Sequence, residues 1–135
     1  SVKSKKFKLQ SKKFISFDNI NKIANSEGDV KLFLSGPTII SSDSINANFD
    51  KVNNTLISAS AKGKVKIQTK SETITCNSAK YNNKTNIITL KSNVIIERDK
   101  SILTGERGYM NLKTRKSKIE SSKSQRVKGV FKPLK

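Results

Sequence analysis

Apolar and polar residues alternate along most of this chain with a period of two. Val30-Lys31-Leu32-Phe33-Leu34, Lys64-Val65-Lys66-Ile67 and Thr73-Ile74-Thr75-Cys76 each send aliphatic side chains to one face and polar ones to the other. No convincing amphipathic helix is found. The segments are short, rich in Ile, Val and Thr, and separated by Gly, Asn, Asp, Lys and Ser, as strands joined by tight turns are. The pattern predicts an all-β fold.

A longer period lies over the alternation. Phe17, Phe49, Tyr81 and Met110 stand 32, 32 and 29 residues apart, and each is followed by a polar turn: DNIN, DKVNN, NNKTN or NLKTR. A short strand comes next, and then Gly or Asn leads into DVKLFL, KVKIQT or NVIIER. The distance from anchor to valine is 13 for Phe17–Val30 and Tyr81–Val94 but 16 for Phe49–Val65, so the middle repeat carries an insertion; SGPT reads as a further extra turn. The chain is thus an imperfect array of about four antiparallel strand pairs, each too small to bury its own apolar face. Four propeller blades would not fit in 135 residues. A double-sheet roll, open at its ends, is the expected architecture.

Charge then divides the chain. Twenty-four Lys and four Arg face ten acids, but six Lys lie in residues 1–13 and nine bases in 113–135, so the ends carry most of the net charge of +18. Residues 1–13 read as a basic arm, 14–120 as the β domain and 121–135 as a basic strand or tail. Such ends are either simply solvated or meet an anionic partner, nucleic acid or another polyanion among them. The scarcity of Arg, the absence of Trp and the lack of any helix-turn-helix or RNA-binding signature weigh against nucleic acid. With no His and one Cys, the usual general base, zinc sites and an internal disulfide are excluded, and no catalytic residue, metal or cofactor is expected. No apolar run is long enough to span a bilayer, and the opening SVKSKKFKLQ lacks the core of a signal peptide.

The stretches GDVKLFLSGPTIISSDSINANFD, GKVKIQTKSETITCNSAKYNNKTNIITLKSNVIIERDKSILTGERGYMNLKTRKSKI and RVKGVF resemble the OstA-like family, within it the LptA group, with the LptC group a close second. Recurring G-N-V-x-I, A-D-x-x-x-Y-D-x-x-T-N and R-V-x-G-V-F patterns carry the likeness over 14–133. Ser92 stands where glycine precedes Asn93-Val94, Tyr109 falls one place before Met110, and LKTRK lacks a final glycine. The resemblance implies a twisted, open-ended β-jellyroll without enzymatic activity, located in the periplasm with its signal peptide removed. It implies a lipopolysaccharide ligand held by its acyl chains. It also implies docking to related β-jellyroll domains of inner-membrane (LptC-like) and outer-membrane (LptD-like) components, and head-to-tail self-association.

Matched phase places Val30, Leu32, Leu34, Val65, Ile67, Ile74, Ile88, Leu90, Val94 and Ile96 on one face, with Lys31, Lys64, Lys66 and Glu97 on the other. These aliphatics either fill a sandwich core or line an apolar groove, where shielding each CH₂ is worth about 0.8 kcal/mol. Cys76 shares the face of Ile74 and reads as a buried small hydrophobe. The end strands KFISFD, with Phe14, Ile15 and Phe17, and RVKGVF, with Val127, Val130 and Phe131, are the expected docking edges; nearby lysines either guard those edges or temper a contact made there.

Overall fold

The computed structural model describes residues 2–3, 7–120 and 129–131. They form a single antiparallel sheet. Its strands are β1 (Val2–Lys3), β2 (Phe7–Gln10), β3 (Phe14–Asp18), β4 (Ile23–Leu34), β5 (Thr38–Phe49), β6 (Leu56–Gln68), β7 (Glu72–Asn82), β8 (Ile87–Arg98), β9 (Ser101–Asn111), β10 (Ser117–Glu120) and β11 (Gly129–Phe131). The order is β1-β2-β4-β5-β6-β7-β8-β9-β10-β11, with β3 beside β4, and the two ends do not pair with each other. The all-β, open-ended roll expected from the alternation is what forms.

Four turns of one design set the repeat. Directly after each anchor, a side-chain oxygen of Asp18, Asp50, Asn82 or Asn111 accepts from the backbone N–H groups two and three residues on. Four residues on, Lys22, Asn54, Asn86 and Arg115 each adopt a left-handed backbone. In the last three turns that residue's N–H returns to the carbonyl of the Asp or Asn. The middle repeat takes up its insertion by extending the strand pair past Ala47–Ala59 and adding a bulge of one residue, in which Phe49 pairs with Leu56 while Asn48 pairs with Ser58.

A second irregularity folds the sheet. Gly28-Asp29, Gly63-Lys64 and Ser92-Asn93 are consecutive left-handed pairs just before Val30, Val65 and Val94. Each inserts one extra residue against the neighbouring strand, so the register shifts line up across β4 to β9. A Cβ on Gly63 would stand 2.5 Å from the Asp43 carboxylate, and its φ of 83° is one that L side chains rarely adopt, so glycine suits the bend on both counts. Beyond the shift, β5, β7 and β9 change which parity faces inward. Ile40 and Ser42 are buried, then Ile45, Ala47 and Phe49; Ile74 and Cys76, then Ala79 and Tyr81.

Strands β4 to β9 therefore bend on one line, and the sheet doubles into two facing leaves. In one leaf Leu9, Leu32, Ile40, Ile67, Ile74, Ile96 and Leu103 follow one another as direct cross-strand partners. In the other, Ala24, Ala47, Ala59, Tyr81, Ile88, Met110 and Ser117 do the same. The core lies between these rows. The segment 1–13 differs from the simple basic arm read in the sequence: Phe7 and Leu9 are buried, and Phe7–Gln10 pairs with Lys31–Leu34. Its apolar residues alternate with Lys8, a signal hidden by the surrounding lysines.

Candidate functional site

The site grows out of the doubling. One leaf ends in the turns 49–56, 82–87 and 111–117, the other in 34–38, 68–72 and 98–101. These two rims border a mouth. A cavity of ≈ 870 Å³ opens there, with apolar walls from Phe7, Leu34, Leu56, Tyr81 and Leu112 and a polar border of Ser35, Asn53, Asn54, Thr55, Asn83, Asn86 and Lys113. The border is fixed by its own hydrogen bonds. The Tyr81 hydroxyl donates to Asn83 Oδ1 at 2.6 Å, and Asn83 Nδ2 donates to the Leu56 carbonyl at 2.8 Å. Burial raises the Tyr81 pKa, so the phenol remains a neutral donor.

Along the mouth the space shrinks to a cleft of ≈ 30 Å³ bordered by Thr38, Thr69, Glu72, Met110 and Arg115. Beside it, Arg98 Nη2 lies 3.0 Å from Glu72 Oε2, with both side chains buried. From the opposite leaf the Ser117 hydroxyl donates to Glu72 Oε2 at 3.2 Å, and Arg98 Nη2 also donates to the Arg115 carbonyl at 3.4 Å. Desolvation raises the Glu72 pKa against the opposing pull of Arg98 and of the Ser117 hydrogen bond.

Nine of the ten predicted interior residues, Val30, Leu32, Val65, Ile67, Ile74, Ile88, Leu90, Val94 and Ile96, are buried on one continuous face, and Leu34 is half-buried at the mouth. Lys31, Lys64, Lys66 and Glu97 are exposed on the outer face. The leaves pack against each other, so of the ten only Leu34 borders the cavity. Phe7, Leu56, Tyr81 and Leu112 were not among them. Tyr81 had appeared only as a repeat anchor, and Phe7 was hidden in the lysine-rich start.

At the edges, Phe14 is 51% and Phe17 44% exposed, Ile15 packs on the core, and Phe17 meets Phe49 in a tilted ring pair with centroids 5.9 Å apart. Val130 and Phe131 lie on β11, which pairs with β10. Val127 lies outside the described residues. On the convex surface Lys91 pairs directly with Arg107. Among the described residues no group of three or more His, Cys, Asp or Glu could hold a metal, and no helix is long and apolar enough to cross a membrane.

The model of the LptA/(LptD N-terminal domain) LPS transport protein family matches residues 8–116. The chain belongs to that family. That family is one of transport proteins. The fold is also that of a solved structure, LptH of Pseudomonas aeruginosa, described as the LptA homologous periplasmic component of the conserved lipopolysaccharide transport device. The TM-score is 0.75 at 12% identity, over 96% of this chain and 94% of that one. No curated protein matches the chain.

Proposed function

We propose that this protein is a periplasmic carrier that receives lipopolysaccharide by its acyl chains between the two leaves and hands it on toward the outer membrane. The observation that carries this reading is the cavity at the mouth, whose apolar walls adjoin an interior of aliphatic side chains and whose border is mostly carboxamides and hydroxyls with Lys113. Acyl chains enter at Phe7, Leu34, Leu56 and Tyr81 and extend inward as the leaves part, toward the part of the row that contains Leu32, Ile40 and Ile67. Family membership supports the same reading. Strand-edge docking completes it: β3, with exposed Phe14 and Phe17, and the β10–β11 end are the surfaces for related domains of inner-membrane (LptC-like) and outer-membrane (LptD-like) components, or for a second copy.

Photo-crosslinking to lipopolysaccharide tests the carrier role. Probes at Leu56, Tyr81 and Ile67 are expected to capture lipid, and probes at Lys62 and Thr89 on the convex face are not. Capture confined to the convex face would instead favour a polyanion-binding domain, whose binding would fall steeply with salt.

A further inference from the structure

The two leaves are fastened to each other near one end of the mouth by polar groups in a surrounding of aliphatic ones. Glu72 and Arg98 face each other across β7 and β8 in one leaf, and Ser117 and the Arg115 carbonyl reach them from the other. A purely structural seam would be better made from apolar side chains. Replacing a buried ion pair with well-packed hydrophobic residues of similar volume is often neutral or stabilising, because both charges lose their water. The same fact makes a polar seam easy to open. When the leaves part, the carboxylate and guanidinium recover hydration, which offsets the hydrogen bonds they give up.

We propose that Glu72, Arg98 and Ser117 form a reversible latch across the mouth, and that its opening sets how fast lipid leaves the groove at the β10 end. The inference rests on the lipid-carrier reading above. Its geometry is one-sided. The mouth is wide beside Phe7 and Leu56, narrows to the small cleft at Glu72, and is pinned there. Lipid is taken in at the wide part without disturbing the latch, and passing it onward requires the pinned part to open. Ser117 and the Arg115 carbonyl are the groups that leave; the ion pair itself lies within one leaf and stays together.

The test uses the full chain loaded with fluorescently labelled lipopolysaccharide and immobilised unloaded copies of the same chain as acceptors. E72M/R98M is expected to melt at or above the wild-type temperature, to load lipid, and to pass it on at least about fivefold more slowly, the factor that ~1 kcal/mol of added barrier gives. S117A, which removes only a bond between the leaves, is expected to pass lipid on faster while melting slightly lower. A simply structural seam would make transfer follow stability, whereas the latch makes the two move in opposite directions. Transfer by E72M/R98M at the wild-type rate or faster overturns the latch. If that variant does not fold, S117A decides, and an unchanged or slower transfer overturns it. A wild-type chain that takes up no lipopolysaccharide overturns the carrier reading and the latch with it; normal loading with unaltered transfer overturns the latch alone.

Discussion

At the scale of single residues, Cys76 is the counterpart of Ser42. Each pairs with the valine that follows a bend, Val65 and Val30 respectively, and each donates to the carbonyl two residues on, Ser78 or Ser44. Cys76→Ser is therefore expected to change unfolding free energy by less than about 1 kcal/mol in a urea titration. Burial pushes the Cys76 thiol up to about 11, so a thiol reagent at neutral pH should label it only after denaturation. Ser92 has a φ of 67° where the other bends use glycine, and Ser92→Gly is expected to stabilise by about 1 kcal/mol, read by the same titration. Glu72 gives a pH test. Its folded pKa is raised, so the folded state binds the proton more tightly, and its contribution is most favourable in acid and lost as pH rises from the ordinary carboxylate value through the raised one. The stability advantage of wild type over E72Q should accordingly be larger near pH 4 than at pH 7. Equal advantages at both would contradict the shift. Nothing in the sequence announced this cluster, because SETIT and ERDK read as ordinary turn-flanking segments and only the doubling of the sheet brings Ser117 to them.

Among the elements, the bulged strands were the readable ones. In β4, β6 and β8 the inward parity at Val30, Val65 and Val94 continues regularly, which is why most of the predicted interior came from those strands. β5, β7 and β9 reverse parity at the bend, so period-two reading loses Ile45, Ala47, Ala79 and Met110, although all are buried. The anchors and the turns that follow them were legible because Asp and Asn side chains have one strong local use there, taking backbone N–H groups. Asn82→Ala removes two such bonds, to Lys84 and Thr85, and is expected to cost about 1 kcal/mol. Ile74→Ala, in the centre of the long aliphatic row, is expected to cost about 2–5 kcal/mol through the cavity it leaves. Both are read from denaturant midpoints.

For the whole molecule, a folded Ile67→Asp variant, verified by circular dichroism, is expected to lose lipid crosslinking, since its carboxylate would sit unpaired among aliphatic side chains. Head-to-tail association predicts a weight-average mass that rises with concentration in sedimentation and does so less after removal of residues 121–135. The family and the open-ended roll were legible because turns, anchors and alternation recur; the mouth was not, because its walls come from residues 7, 34, 56, 81 and 112, which only the fold assembles. The row from Leu9 to Leu103 carries a geometric consequence. Neighbouring strands stand about 4.8 Å apart, so one sequence period, which supplies two strands, advances the row by roughly 10 Å. Turn and bend are both specified inside the period, and duplicating residues 50–81 would therefore lengthen the molecule by one such step without redesigning its neighbours. The chain is a ruler graduated in strand pairs, and the distance it can span is adjustable by whole graduations.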